Sequence, residues 1–293
     1  MKLDFNITIV GLGLIGGSYA MALKELNPKN LWGVDLNNET IETAKSMGII
    51  DEGYTDPKIP LINSDLVIVS LYPELAIKFI KNNIKNFKRG AVITDTSGIK
   101  GKVVSEVSSC LPEYLDFIGG HPMAGREAKG LSYASKDIFK NANYILTPTE
   151  KNKKENLDLI RNIALSIGCK NVVSVDPEAH DKIIAYTSGL PHLIAVSLVS
   201  CNNFGDNQKS FIGGGFKDTT RIAEINPELW SELFVSNKAN IVEQIDEFQN
   251  NLSILKMAIE NEDIDKIKDI FHVASKKRSE LNSNEWYCSK TFS

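Results

Sequence analysis

The sequence predicts an α/β protein in which a doubly wound parallel sheet is followed by an all-α domain. Over the first 175 residues, short β-branched runs alternate with helical patterns, which is typical of a parallel sheet flanked by helices. Strand-like runs stop after Asp176 and Pro177, and long helical patterns replace them. We therefore expect two domains, covering residues 1–175 and 176–293.

Seven segments have the β-branched and apolar residues of strands. They are Asn6–Val10, Leu31–Asp35, Asp65–Ser70, Ala91–Asp95, Phe117–Gly119, Asn143–Thr147 and Asn171–Val175. The run from Leu66 to Val69 is apolar on both faces, as expected of a strand buried between two helix layers. Helical patterns lie between these strands, and the clearest cover Leu14–Leu26, Asn38–Met47 and Glu155–Ile167.

The first predicted strand leads into a Gly-x-Gly-x-x-Gly turn that opens a helix. The turn consists of Gly11, Leu12, Gly13, Leu14, Ile15 and Gly16. The first glycine allows a tight turn, the second lets the backbone approach a pyrophosphate, and the third permits close packing of helix on strand. Amide groups at the start of the helix would face the anion. The pattern predicts a Rossmann-type dinucleotide-binding domain.

An acidic residue indicates which dinucleotide binds. Asp35 ends the second predicted strand, 19 residues after Gly16, where a carboxylate accepts hydrogen bonds from ribose hydroxyls. Its charge would repel a 2′-phosphate, and the next three residues include no arginine, so we predict NAD rather than NADP. Ser70 ends the third predicted strand and is expected among the cofactor-binding residues at the same edge of the sheet.

A histidine at the end of a predicted strand is the best candidate for acid–base chemistry. His121 lies in the glycine-rich segment from Gly119 to Glu127, and ligands bind at the carboxyl ends of strands in open parallel sheets. Imidazole suits the removal of a proton from a hydroxyl at neutral pH. The alternative is a histidine that only caps a loop.

Two further segments offer hydroxyl and cationic groups. Thr96 and Ser97 follow another predicted strand and could donate to a substrate oxygen, although the residues alone favour capping of the next helix. Arg221 follows three consecutive glycines and suits bidentate recognition of a carboxylate. On the residues alone, a structural salt bridge is favoured for this arginine.

The helical half contains two apolar patterns. The segment His192–Val199 is apolar on every side, which predicts a helix buried all round. The second pattern repeats every four and three residues and predicts a seam against another helix, either within the chain or in a subunit interface. Its members are Ile241, Ile245, Phe248, Leu252, Leu255 and Ile259. We expect His180 and His272, in charged helical surroundings, to be structural or solvated.

Composition excludes several classes of protein. Apolar residues make up 42% and charged residues 24% of the chain, with a net charge of −4 and no basic block, so neither nucleic acid nor an anionic membrane is an expected partner. No apolar run reaches the length of a membrane span, about 18 residues. The four cysteines, Cys110, Cys169, Cys201 and Cys288, are scattered without metal-ligand spacing. We expect a cytoplasmic protein with reduced thiols and no metal.

Six motifs together resemble the prephenate dehydrogenase family over nearly the whole chain. They are VGLGLIGGSYAMAL, TDTSGIKGKV, GGHPMAGRE, DPEAHD, SGLPH and GGGFKDTTRIAEINPELW. The resemblance implies NAD-dependent oxidative decarboxylation of prephenate to 4-hydroxyphenylpyruvate, in tyrosine biosynthesis. Hydride would leave the ring carbon that bears the hydroxyl, and the ring carboxylate would leave as CO2. Because the chain ends soon after the helical half, the resemblance implies neither a regulatory domain nor a fused mutase, so tyrosine inhibition would act at the active site.

The resemblance also implies roles for particular residues. His121 would take the proton of the ring hydroxyl, and Arg221 would bind a substrate carboxylate. His192 would help to position the side-chain end of the substrate, and Glu127 would pair with Arg221. The pocket would be shaped by Gly214 and Trp230, and the helical half would form a homodimer. Many members have Gly-Ser where this chain has Ser97-Gly98, so either Ser97 or Thr96 would supply the active-site hydroxyl.

Three alternative functions stay open at this point. An arogenate or dual-specificity cyclohexadienyl dehydrogenase differs only in whether the substrate side chain has an amine or a ketone, and a donor at His192 would favour the ketone of prephenate. A β-hydroxyacid dehydrogenase would normally use a lysine in the helical half. A catalytically silent NAD sensor would not need His121, Arg221 and Asp35 together.

Overall fold

A computed structural model describes residues 3–126, 128–201 and 206–281 of the chain. The chain divides into two compact units, the first ending at Ile241 and the second beginning at Val242. The eight strands and the candidate site all lie in the first unit. Cys110, Cys169 and Cys201 are free thiols, and Cys288 lies outside the described residues.

One eight-stranded sheet organises the first unit, in the order β3-β2-β1-β4-β5-β6-β7-β8. The strands are β1 (Asn6–Val10), β2 (Asn30–Val34), β3 (Glu52–Tyr54), β4 (Leu66–Val69), β5 (Val92–Asp95), β6 (Asp116–His121), β7 (Asn143–Thr147) and β8 (Asn171–Ser174). The order reverses between β1 and β4, which is the point where ligands bind in open α/β sheets. The predicted α/β class and the doubly wound sheet are confirmed.

Two features of the sheet differ from the prediction. Strand β7 runs antiparallel to β6, because the described part of their connection contains only short helical turns, at Leu131–Tyr133 and Lys136–Phe139. A parallel return needs a longer crossover, usually an α-helix. Strand β3 was not predicted, since three partly exposed residues at an edge of the sheet produce no periodic pattern.

Helices cover both faces of the sheet. The first six are α1 (Leu14–Lys24), α2 (Asn38–Ser46), α3 (Lys58–Asn63), α4 (Pro73–Asn83), α5 (Gly101–Ser108) and α6 (Lys154–Ser166). One apolar core includes Tyr19 of α1 and Ile163 of α6. A separate core includes Ile77 of α4 and Val103 of α5. The sheet lies between these two cores, as the run from Leu66 to Val69 in β4, apolar on both faces, requires.

The rest of the described chain is helical. It contains α7 (Pro177–Ile184), α8 (Leu190–Ser200), α9 (Gly214–Thr220), α10 (Pro227–Ser236), α11 (Lys238–Glu260) and α12 (Ile264–Glu280). A π-helical turn, Ala185–Gly189, joins α7 to α8. Helix α11 begins in the first compact unit and ends in the second.

The prediction that His192–Val199 is buried all round is wrong for the single chain. Within this segment only Ala195 is buried, while Leu198 and Val199 are 39% and 41% exposed. The continuous helical stretch Pro177–Ser200 is long and apolar enough to cross a membrane by length and composition alone. Its first turns, however, hold the buried polar residues His180 and Asp181, which a lipid-facing segment would not place there.

Candidate active site

The glycine turn after β1 has the geometry that its sequence predicts. Gly11 has a φ of 85°, and a Cβ on it would lie 2.5 Å from the carbonyl oxygen of Ser70. A Cβ on Gly16 would lie 1.8 Å from the carbonyl oxygen of Gly11, so no side chain fits between the helix and the turn. A Cβ on Gly13 would meet nothing within 4 Å. The turn therefore presents bare backbone to open space at the start of α1.

Asp35 is held beside this turn by two main-chain amides. The backbone N–H of Leu12 donates to its Oδ2 at 2.9 Å, and that of Asn37 donates to its Oδ1 at 2.9 Å. Asn37 also caps α2 with its side chain. The predicted acidic residue thus lies at the end of β2, next to the glycine turn and with its orientation fixed.

A cavity of about 500 Å³ opens where the glycine turn, the strand ends and the helices meet. From the sequence-predicted residues, the structure brings together Gly13, Leu14, Ile15, Ser70, Thr96, Ser97, His121, His192 and Trp230 in its wall. Gly11, Leu12 and Gly16 shape the turn behind this wall. The cavity is large enough for a small-molecule ligand.

His121 ends β6 and belongs to a chain of hydrogen-bonded side chains. Its Nδ1 lies 2.9 Å from Nε2 of His180, whose Nδ1 lies 2.7 Å from Oδ1 of Asp181. The Asp181 carboxylate also accepts the backbone amides of Lys100 at 2.7 Å and Gly101 at 2.8 Å, at the start of α5. His180 was expected to be either structural or solvated. It is only 2% exposed, so it is a buried residue, and it contacts His121.

The surroundings of His121 favour its neutral form. Burial lowers the pKa of His121 well below 6.5, and the neighbouring ring of His180 and the charge of Lys100 lower it further. A neutral imidazole has one unprotonated nitrogen and can accept a proton. Since Nδ1 contacts His180, Nε2 is the nitrogen that remains for a ligand in the cavity.

A buried ion pair lies directly behind His121. Nζ of Lys100 lies 2.5 Å from Oδ2 of Asp95, and both side chains are 0% exposed. The other carboxylate oxygen of Asp95 accepts the backbone amide of Gly120 at 3.2 Å. Burial lowers the pKa of Lys100, and Asp95 opposes this shift. The pair fixes the end of β6 next to the helix that follows β5.

The two candidate hydroxyls differ in what they bind. Ser97 donates its hydroxyl hydrogen to Asp95 and lies 3.3 Å from Nζ of Lys100, so it belongs to the buried cluster. Thr96 donates to the hydroxyl of Ser70 over a longer distance, 3.3 Å. Both line the cavity, but the hydroxyl of Thr96 makes a longer hydrogen bond to the protein than the hydroxyl of Ser97 does.

His192 and Trp230 form an aromatic wall of the cavity. Their ring centroids are 3.8 Å apart, with an interplanar angle of 32°. Nδ1 of His192 lies 2.8 Å from the carbonyl oxygen of Ser188, and because a carbonyl can only accept, this nitrogen carries a proton. A neutral His192 therefore has a lone pair on Nε2, and it donates from Nε2 only when protonated.

Three predicted residues are not brought into this wall. Arg221 and Gly214 lie at the two ends of α9, both exposed, and neither is among the described residues that line the cavity. Arg221 nevertheless comes three residues before Glu224, which does line it. Glu127 lies outside the described residues, as does its predicted pairing with Arg221.

Sequence reasoning missed four residues of the polar cluster: Asp95, Lys100, His180 and Asp181. In the sequence, Asp95 only ends a predicted strand, while Lys100, His180 and Asp181 look like ordinary residues of polar helical segments. The only available signal was their membership of two of the recognised motifs, TDTSGIK and DPEAHD.

The sheet, the glycine turn and the cavity that they share with His121 together define a Rossmann-type dehydrogenase. Residues 19–173 match the family model for the prephenate dehydrogenase nucleotide-binding domain, and residues 176–273 match that for the prephenate dehydrogenase dimerization domain. The chain is 32% identical to prephenate dehydrogenase of Bacillus subtilis (strain 168), over 94% of this chain and 76% of that protein. The chain therefore belongs to the prephenate dehydrogenase family, as its motifs predicted.

Two solved structures resemble the whole fold. One is prephenate dehydrogenase from A. aeolicus in complex with hydroxyphenyl propionate and NAD+, with a TM-score of 0.87 and 33% identity over 96% of this chain and 99% of that one. The other is Synechocystis arogenate dehydrogenase, with a TM-score of 0.82 and 28% identity over 94% of this chain and 99% of that one. The family thus includes enzymes named for two different substrates.

Proposed function

We propose that this enzyme oxidises and decarboxylates prephenate to 4-hydroxyphenylpyruvate, with NAD as the hydride acceptor. The observation that carries this proposal is that the glycine turn and His121 face one cavity. A dinucleotide bound along the turn and a hydroxyl held by His121 would then be close enough to react. The residues carried over from the family motifs support the same reaction.

The residues around the turn fit a dinucleotide. Open space in front of Gly13 leaves room for a pyrophosphate against the backbone, and the start of α1 points its amides in that direction. The fixed carboxylate of Asp35 would accept the ribose hydroxyls and exclude a 2′-phosphate. NAD, when bound, supplies the hydride acceptor.

The chain's own groups bind the substrate and move its proton. His121 accepts the ring hydroxyl proton on Nε2, while Thr96 donates to the same oxygen. Ser97 would fill this role only by giving up its hydrogen bond to Asp95. Loss of the proton and of the hydride turns the hydroxyl carbon into a carbonyl. When the carboxylate leaves as CO2, its bonding electrons move through the ring to this oxygen, which takes the proton back from His121 and leaves an aromatic phenol. Arg221 is proposed to bind a substrate carboxylate and to pair with Glu127, and Gly214 is proposed to shape the entrance.

Arogenate is the second candidate substrate, and the likeness to Synechocystis arogenate dehydrogenase favours it. Because Nδ1 of His192 donates to Ser188, a neutral His192 has its only acceptor on Nε2. The ketone of prephenate requires a donor, and hence a protonated His192. The argument that His192 favours prephenate therefore holds only for the charged ring.

A direct assay decides between the two substrates. Purified enzyme is mixed with NAD and either prephenate or arogenate, and NADH formation is followed by absorbance. We expect NADH with prephenate. NADH formation with arogenate alone would show that arogenate, and not prephenate, is the substrate. No NADH formation with either compound would overturn the proposed function.

Asp35→Asn should weaken NAD binding and reduce the discrimination against NADP. The amide keeps the side-chain shape but removes the charge that repels a 2′-phosphate. We expect the KM for NAD to rise and the ratio of kcat/KM between NAD and NADP to fall, by about tenfold if roughly 1.4 kcal/mol of discrimination is lost. An unchanged cofactor ratio would contradict the role of Asp35. Glu39→Gln, at an exposed position of α2, serves as the charge-matched control.

The helical domain, residues 176–293, is proposed to form a homodimer. Several of its apolar side chains are exposed in the single chain, including Leu252 at 54% and Ile259 at 58% in the predicted seam, and an interface would cover them. We expect sedimentation analysis to give a mass of twice 32.4 kDa. Replacing both residues with lysine should shift the equilibrium towards the monomer, whereas Ile59→Lys on α3 should not. A monomeric wild-type enzyme would contradict the proposal.

A further inference from the structure

The contact between His121 and His180 determines where the protons of both rings lie. The Asp181 carboxylate accepts two backbone amides at the start of α5, at 2.7 and 2.8 Å, so it acts as an acceptor. Nδ1 of His180, 2.7 Å away, must therefore donate to it. A neutral imidazole carries one proton, which leaves a lone pair on Nε2 of His180.

The tautomer of His180 in turn determines the tautomer of His121. Nε2 of His180 lies 2.9 Å from Nδ1 of His121, and a lone pair there requires His121 to donate from Nδ1. Nε2 of His121 then has no proton and can accept one. The hydrogen bond made by one ring nitrogen thus sets the state of the other.

We propose that His180 and Asp181 are positioning residues that hold His121 in the tautomer able to accept the substrate's hydroxyl proton. This inference rests on the proposed function, and it adds two residues of α7 to the machinery of that reaction. Neither residue touches the substrate. Their effect passes entirely through Nδ1 of His121.

Asp181, at the end of this series of hydrogen bonds, is held in place by several contacts. Besides the two amides of α5, the main-chain carbonyl of Asp181 accepts the side-chain amide of Asn237 at 2.8 Å. Asp181 itself is 6% exposed, and His180 is almost fully buried. Because the two residues are packed away from solvent, they orient His121 and stabilise its charge after proton transfer, and do not carry the proton away.

Two substitutions of His180 separate orientation from simple packing. In His180→Gln, the amide oxygen can occupy the place of Nε2 and still accept from Nδ1 of His121. His180→Leu fills similar space but offers no acceptor. We expect kcat to fall by about 10²-fold or more in the leucine variant, as when a catalytic histidine adopts the wrong tautomer, and to be largely restored in the glutamine variant. The Kd for NAD should be unchanged in both.

Nitrogen-15 NMR of the histidine-labelled free enzyme reads the tautomer without any substrate. We expect His121 to be protonated on Nδ1 in the wild type and to gain a population protonated on Nε2 in His180→Leu. His272→Gln, on the exposed side of α12, is the control and should change neither kcat nor the His121 signals. The wild-type spectrum provides the reading even if the leucine variant does not fold.

The outcomes separate this inference from the proposed function. Protonation of His121 on Nε2 in the wild type, or a leucine variant with wild-type kcat, would overturn the positioning role. A wild-type enzyme that reduces no NAD with prephenate or arogenate would overturn the proposed function instead, while the NMR result would still test the tautomer.

Discussion

His121→Asn should lower kcat by roughly 10²–10⁴-fold, the usual contribution of a positioned general base. Asparagine can still form a hydrogen bond from this position, but it cannot take a proton from a hydroxyl. The glycine turn and Asp35 are untouched, so the Kd for NAD should stay unchanged. Steady-state kinetics with prephenate, together with a binding titration of NAD, measure both quantities. His272→Asn is the matched control, and near-normal turnover of His121→Asn would remove His121 from its role.

The pH dependence of the same enzyme tests the state of this histidine. Burial, the neighbouring ring of His180 and the charge of Lys100 place the pKa of His121 below 6.5. The carboxylates of Asp95 and Asp181 lie on the elements packed against it. Since the neutral ring is the acceptor, kcat/KM should fall as pH falls through this lowered pKa. Stability should change in the same direction below about pH 6.5, because the unfolded chain then binds the proton more readily. A loss of kcat/KM beginning above pH 6.5 would contradict this environment.

Lys100→Met should destabilise the folded protein by about 3–5 kcal/mol, because it leaves the carboxylate of Asp95 buried without its cation. Both partners are fully buried, so water cannot replace the lost charge. The change should appear as a lower midpoint of urea unfolding. Adding Asp95→Asn to this variant should recover part of the loss, since the remaining buried group is then uncharged.

Lys102→Met provides a matched control two residues further along, in the first turn of α5. Lys102 pairs with Glu74, but both side chains are substantially exposed, and pairs of this kind contribute about 0–1 kcal/mol. Equal destabilisation by the two substitutions would show that burial of the Asp95–Lys100 pair has no special energetic consequence.

The fold could be predicted largely because its signals are local. Strand β1, the glycine turn and α1 are consecutive, so spacing alone predicts their arrangement. The run from Leu66 to Val69 in β4 is apolar on both faces, which indicates a sheet between two helix layers. The antiparallel β7 could not be foreseen, because its direction depends on the preceding connection, whose described residues form only short helical turns.

The candidate site was predicted only in part, because its polar network joins distant segments. His121 was singled out by its place at a strand end, whereas His180 lies 59 positions further along the chain. Nothing in the surroundings of His180 distinguishes it from a surface histidine until α7 packs against α5. The helix of His192 was expected to be buried because its composition is apolar, but a single chain covers only part of it.

Isotope transfer tests the central claim most directly, namely that the cavity shared by the glycine turn and His121 removes hydride from the hydroxyl-bearing carbon of prephenate. Prephenate with deuterium on that carbon is incubated with the enzyme and NAD, and the products are analysed by mass spectrometry. We predict that the deuterium is recovered in the reduced cofactor, with one 4-hydroxyphenylpyruvate and one CO2 formed for each NADH. Unlabelled NADH, or 4-hydroxyphenylpyruvate formed without NADH, would contradict it.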